Sequence, residues 1–278
     1  MQLSFTKMHG LGNDFIVLDA PSRDGLPISA ARWRQLADRH RGIGFDQALV
    51  LEPPRQAGSQ AYYRIFNANG GEVEQCGNGV RCLAELLRQR GQAANGLLQL
   101  ESPAGVIQAE LGTPGTVAVD MGEPQFTPQA VAFDAGNESG PRFHIDLPIG
   151  RVEFSIASMG NPHAVLDVPR VADAAVDTLG PALESHPLFT RRVNVGFREI
   201  VARDHIRLRV FERGVGETLA CGTGACAAAA TGIRDGRLDS RVRVDLPGGT
   251  LNIRWQGAGH SLWMEGPAQV SFTGHFNL

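Results

Sequence analysis

The sequence predicts an α+β protein of the α/β class, built as two pseudo-symmetric domains. Each is expected to be a strongly curved, mostly antiparallel sheet or barrel around one central helix, with an active site in the cleft between them. Three observations predict this. First, the chain repeats itself at a domain-sized interval: Arg64-Ile65-Phe66 followed by Cys76-Gly77-Asn78-Gly79 returns as Arg209-Val210-Phe211 followed by Cys221-Gly222-Thr223-Gly224. Phe66 and Phe211, Glu72 and Glu217, Cys76 and Cys221, and Gly91 and Gly236 all stand 145 positions apart. Second, further echoes follow in the same order. Gly12 to Asp19 matches Gly160 to Asp167, Pro103-Ala104-Gly105 matches Pro247-Gly248-Gly249, and Met121 to Pro124 matches Met264 to Pro267. An interval this long exceeds the roughly 20–50 residues of solenoid repeats. Third, strand-like segments in each half surround one helical segment that begins at a cysteine. The domains are accordingly expected at residues 1–121 with 267–278, and at 122–266.

The elements follow in order. Leu3 to Lys7 and Phe15 to Asp19 read as strands, and Ser29 to Arg39 as a helix with Ser29 as N-cap. Segments 48–52 and 61–66 are strand-like. Gly79 to Arg90 carries a helical apolar pattern that stops at Gly91. Strands are expected at 97–101, 105–111 and 116–121, and 123–150 reads as a linker with a β-arm. The second half repeats the plan. Strands are expected at 152–158, 163–168, 193–201, 206–211, 241–245, 250–255 and 261–265, with helices at 172–179 and 224–233. The second of these helices is rich in alanine, which allows close approach by strands. The tail, Val270 to Leu278, has no counterpart within either half and is expected as an edge strand added to the first domain.

The chain has 278 residues, enough for two ordinary domains, and 42% of them are hydrophobic, enough for real cores. A net charge of −3 gives no argument for nucleic acid as a partner. No apolar run approaches the ~20 residues a membrane helix needs. The start, Met1 to Lys7, lacks a signal-peptide apolar region, so a cytoplasmic protein is expected. In a reducing compartment the four cysteines are not expected to pair as disulfides. Their spacing does not suit zinc, so no metal is expected. Cys82 and Cys226 fall further along their helices and read as small core residues.

Cys76 and Cys221 read as chemistry. A helix start leaves backbone N–H groups unpaired and adds about half a positive charge, a setting that binds anions. A thiol there is expected to have its pKa lowered from ~8.5. Gly77 and Gly222 admit a ligand to the backbone N–H groups, and Asn78 and Thr223 add polarity at the same turn. Two thiols facing one carbon could take a proton from one side and return one to the other, which is inversion by two bases, while the helix ends hold a carboxylate. Pyridoxal phosphate would need a lysine, and Lys7 is the only one beside 25 arginines, so no cofactor is expected. Other readings stand beside this one. Gly222-Thr223-Gly224-Ala225-Cys226-Ala227 fits a dinucleotide fingerprint, but no strand runs directly into it. A cysteine hydrolase could pair one thiol with His163, yet would leave the second cysteine unexplained. A binding protein with structural thiols is a further alternative.

At these residues the chain resembles the diaminopimelate epimerase family. The resemblance is carried by Phe5-Thr6-Lys7-Met8-His9-Gly10-Leu11-Gly12-Asn13-Asp14-Phe15, Phe66-Asn67-Ala68-Asn69-Gly70, Cys76-Gly77-Asn78-Gly79-Val80-Arg81-Cys82, Gly160-Asn161-Pro162-His163, Glu212-Arg213-Gly214 and Cys221-Gly222-Thr223-Gly224-Ala225-Cys226. The Cys-Gly-Thr-Gly element alone is shared with proline racemase-like and phenazine-isomerase-like relatives. The resemblance implies epimerisation of LL- and meso-diaminopimelate without cofactor, in lysine and cell-wall precursor synthesis, often as a homodimer. It implies Cys76 and Cys221 as the acid/base pair, with His163 and Glu212 poising the thiols. Gly77, Asn78, Gly222 and Thr223 would bind the reacting carboxylate, and Asn13 and Gln47 would line the site. Asn67, Asn161, Asn194, Glu212 and Arg213 would read the zwitterionic far end, which needs both charges; arginine grips a carboxylate bidentately. Phe272 would pack at a dimer interface. Epimerisation of a proline-type amino acid is the alternative on the same scaffold, since proline has no second zwitterion for Glu212 and Arg213.

Overall fold

The computed structural model describes residues 2–73, 76–93 and 96–278. The chain divides into two units, Met1–Asp120 with Glu265–Leu278, and Met121–Met264. In chain order the first unit has β1 (Gln2–Gly10), β2 (Asn13–Asp19), α1 (Ala30–Ala37), β3 (Gln47–Glu52), β4 (Ala61–Asn67), β5 (Glu72–Val73), α2 (Gly77–Gln89), β6 (Gly96–Ser102), β7 (Gly105–Leu111) and β8 (Thr116–Asp120). The second has β9 (Phe143–Leu147), β10 (Gly150–Ser158), β11 (Pro162–Asp167), α3 (Val176–Glu184), β12 (Asn194–Ala202), β13 (His205–Glu212), β14 (Gly216–Thr218), α4 (Gly222–Arg234), β15 (Arg241–Leu246) and β16 (Gly249–Arg254). The unit boundary falls inside β17 (Trp263–Pro267), and β18 (Gln269–Asn277) ends the chain.

The strands of the first unit pair in the order β18-β1-β2-β3-β4-β6-β7-β8, with β5 folded back on β4. Among the described residues these pairings are antiparallel except β2 with β3 and β4 with β6. A parallel pair needs a crossover, usually a helix, and α1 and α2 supply the two. The second unit repeats this: β9-β10-β11-β12-β13-β15-β16 with β14 on β13, and among these described pairings β11–β12 and β13–β15 are the parallel ones, bridged by α3 and α4. The sheet-dominated α+β class expected from the sequence is therefore found in each unit.

Strands covered on both faces bury continuous runs rather than alternating ones. Ile16 and Leu18 of β2 and Ala48 and Val50 of β3 join Trp33 and Leu36 of α1 in one core. Phe15 and Leu49, on the opposite face, meet the start of α2 at Gly79, where a Cβ would stand 3.1 Å from Leu49. The second unit does the same: Val195 and Phe197 pack with Val176 and Leu183 of α3, while Val210 meets α4 at Gly224, where a Cβ would stand 3.0 Å away. In α4, Ala225 and Ala227 to Ala230 are wholly buried, as expected of a helix without a polar face. Cys82 and Cys226 are also wholly buried core residues.

Three expectations are corrected. The helix expected at 172–179 runs from Val176 to Glu184, through Pro181. Val171–Asp173 forms a separate 3-10 turn. A proline ordinarily stops a helix, but Gly180 packs tightly on the Phe211 ring, where a Cβ would stand 2.6 Å away, and burial of Val176 and Leu183 on the sheet outweighs the lost N–H. The helices expected from Gly79 and Gly224 begin two residues earlier, at Gly77 and Gly222, because the cysteines are their N-caps. Finally, the tail does have a counterpart. β18 pairs antiparallel with β1, Gln2 opposite Asn277, and β9 pairs antiparallel with β10 in the same place. The first unit draws its edge strand from the end of the chain.

Candidate active site

Each unit delivers its cysteine in the same way. β4 turns back as β5 and leads to Cys76, and β13 turns back as β14 and leads to Cys221. Both cysteines are extended N-cap residues (φ −150° and −107°) of thirteen-residue helices. Both helices close at a left-handed glycine, Gly91 or Gly236, with the next N–H reaching back to Leu87 or Gly232. A Cβ at Gly224 would also stand 3.2 Å from the Cys221 sulfur.

In the first unit Asn78 Nδ2 donates to Asn13 Oδ1 (3.2 Å), and the same oxygen lies 3.9 Å from the Cys76 sulfur. Asn13 is held in that sense because its Nδ2 donates to Asp46 Oδ2 at 2.9 Å. Asp46 and Asp14 accept each other's backbone N–H, and Arg39 bridges both carboxylates. Gln47 and Asn67 face each other across β3 and β4 and share a 2.9 Å hydrogen bond. Gln47 Oε1 and Asn78 Oδ1 are buried with no partner among the described residues, so both can accept from a ligand.

The second unit assembles Asn161, His163, Thr223, Cys221 and Glu212. Asn161 Nδ2 donates to Thr223 Oγ1 (3.2 Å), which leaves Asn161 Oδ1 to accept from His163 Nε2 at 3.0 Å. The hydroxyl of Thr223, accepting from Asn161, is free to donate to the Cys221 sulfur, 3.7 Å away. His163 Nδ1 is buried with no partner among the described residues. The two repeat asparagines are thus reversed: Asn13 turns its oxygen to the helix start, Asn161 its amide nitrogen.

His163 is 1% exposed. Burial, reinforced by the charge of Arg213, pushes its pKa down to about 3, so the imidazole is neutral at neutral pH. Cys221 departs from expectation. Burial, and secondarily the Glu212 carboxylate, push its thiol well above the ordinary range, against the opposing pull of Thr223 and the Gly224 N–H. Depth of burial overrides the helix start, and the Cys221 thiol holds its proton at neutral pH. Cys82 is pushed up to about 12, chiefly by burial and against the opposing pull of the Arg81 charge.

The remaining expected residues fall within their own units as follows. Asn194 is buried and uses both ends of its amide on backbone: Nδ2 donates to Pro162 O and Oδ1 accepts from Arg213 N, both at 2.9 Å. It thereby fixes the backbone that carries Arg213, whose side chain donates to Arg191 O at 3.0 Å. Gly77 and Gly222 are the first residues of α2 and α4. Phe272 is half-exposed on β18 with its ring edge-on to Phe5. Sequence reasoning missed Asp46, for which no pattern gave a signal, and Thr218, whose hydroxyl donates to Glu212.

A sequence model of the family described as "Diaminopimelate epimerase" matches residues 5–127 and 155–271. The chain is 51% identical to a diaminopimelate epimerase of Nitrosomonas europaea and 52% identical to one of Chromobacterium violaceum, over the full length of both chains in each case. The crystal structure of a probable proline racemase from Agrobacterium radiobacter has the same fold, with a TM-score of 0.69 at 19% identity, covering 99% of this chain and 93% of that one.

Proposed function

The chain belongs to the diaminopimelate epimerase family, and from that premise we propose how it interconverts LL- and meso-2,6-diaminopimelate in lysine biosynthesis. The observation that carries the reading is the pair of cysteines, each the N-cap of an equivalent helix in a duplicated unit. One sulfur, as thiolate, takes the α-hydrogen as a proton. The C–H electron pair passes into the α-carbon and its carboxylate, where N–H groups of a helix start stabilise the charge. The other thiol gives its proton to the opposite face, and the two sulfurs exchange protonation states. Cys221 enters as the acid, since burial and Glu212 hold its proton; the reverse reaction uses the opposite assignment.

Gly77, Asn78, Gly222 and Thr223 hold the reacting carboxylate. Asn13 and Gln47 line the site. Glu212 and Arg213, with Asn67, Asn161 and Asn194, recognise the ammonium and carboxylate of the far end, and an analogue lacking those charges leaves polar groups unpaired and is rejected. His163, neutral, orients Asn161 and through it Thr223 and Cys221. No pyridoxal phosphate takes part: the only lysine, Lys7, is buried with its ammonium held by Asp14 and the Gly44 carbonyl. The enzyme works in the cytoplasm as a homodimer, with exposed Val270 and Phe272 of the edge strand β18 at the interface.

The test is α-proton exchange in deuterated water under reducing conditions without pyridoxal phosphate, with LL-diaminopimelate and L-proline as separate substrates. Inversion of diaminopimelate with deuterium uptake, lost in Cys76→Ser and Cys221→Ser, is expected. Inversion of proline alone would refute the assignment.

A further inference from the structure

The 145-residue offset that relates the cysteines also relates Arg64 to Arg209 and Glu72 to Glu217. Sequence comparison pairs these residues but gives them no role. In the structure they form the same object twice. Arg64 grips Glu72 bidentately, Nε to Oε1 at 2.7 Å and Nη2 to Oε2 at 2.6 Å. Arg209 grips Glu217 with the same atoms at 2.6 and 2.7 Å. Each arginine stands on the long strand, β4 or β13. Each glutamate stands on the short return strand, four residues before its cysteine.

We propose that Arg64–Glu72 and Arg209–Glu217 are duplicated positioning pairs, each fixing the short strand that delivers its own thiol. This rests on the two-thiol reading above. β5 has two residues and β14 three, too few for a ladder to fix the geometry unaided. A fork of two parallel charge-assisted hydrogen bonds sets both separation and angle. The arginines are anchored in turn: Arg64 lies 5.0 Å over the ring of Phe66, and Arg209 donates to Val171 O. Both pairs are partly solvent-exposed, so they add little to global stability. A thiol misplaced by about 1 Å, however, loses on the order of 100-fold in rate. A pair that matters for position and little for folding can be tested separately from folding.

The full chain, Arg64→Gln and Arg209→Gln are each incubated in deuterated water with the LL and with the meso isomer. Inversion is followed together with deuterium entry into the uninverted substrate. Each variant is expected to lose inversion about 10-fold or more yet still exchange one isomer without inversion, because the undisturbed thiol still serves its own face. The exchanging isomer is expected to differ between the two variants. Glu72→Gln and Glu217→Gln keep one hydrogen bond and should fall between variant and wild type, and the swap Arg64→Glu with Glu72→Arg should restore inversion. Wild-type inversion in every variant, or an equal loss of exchange from both isomers, would overturn the positioning role. Absence of inversion in the unmodified chain would overturn the two-thiol reading and this role with it, a result distinct from turnover that the variants leave unchanged.

Discussion

Replacing His163 with glutamine should remove a specific pH dependence of stability. The imidazole is 1% exposed and its pKa is pushed to about 3, by burial first and by Arg213 second. An unfolded chain binds a proton at this residue below about pH 6.5, while the native chain stays neutral until near its lowered value. A depressed native pKa contributes stability that is fully present above the unfolded value and is lost as pH falls through the window from 6.5 towards 3. Between pH 8 and pH 5 the loss is about 2 kcal/mol, from about 1.4 kcal/mol per pH unit below the unfolded pKa. Urea unfolding of wild type and His163→Gln at both pH values measures it. The variant is expected to be less stable at pH 8 by about 1 kcal/mol for the Asn161 hydrogen bond, and to lose about 2 kcal/mol less than wild type on going to pH 5. Arg213→Gln should shrink the wild-type loss only in part, because burial is the larger cause. Equal pH dependence in wild type and His163→Gln would mean that the buried imidazole is not its source.

Asp167→Ala should destabilise the second unit by about 3–5 kcal/mol, because it leaves the fully buried Arg198 guanidinium without its carboxylate; an unchanged urea midpoint would contradict this. Asp46→Ala frees the Asn13 amide to turn away from Cys76 and should lower kcat/KM about 10- to 100-fold, with Asp46→Asn retaining more activity through its remaining oxygen. Steady-state kinetics separates the two. Cys221 should react with iodoacetamide at pH 8 more slowly than a free thiol, and Glu212→Gln should speed it by lowering the raised thiol pKa, as read by peptide mass spectrometry.

Much of this molecule is legible in its sequence because a duplication tests itself. The 145 offset marks two cysteines and two helix-ending glycines, and these turn out to be the N-caps and left-handed C-terminal glycines of equal helices. What stays hidden is set by tertiary context. β5 and β14 are too short to show periodicity. The partner role of β9 and β18 leaves no echo, because an edge strand is recruited by the edge it completes and not by its own pattern. Helix α3 passes through Gly180-Pro181 because Phe211 covers the glycine. The direction of the Cys221 shift depends on burial, which the Cys-Gly-Thr-Gly motif does not encode. The repeat gives Asn13 and Asn161 as equivalents, yet Asp46 and His163 turn their amides in opposite senses.

Two-sided proton transfer is tested most directly in the first few per cent of turnover in deuterated water, starting from each isomer in turn. Deuterium is expected in the inverted product while the remaining substrate keeps its hydrogen, since the sulfur that takes the proton is not the one that returns it. Deuterium entering residual substrate as fast as product, from both isomers, would mean that one group serves both faces, and would contradict the assignment of Cys76 and Cys221 as a pair.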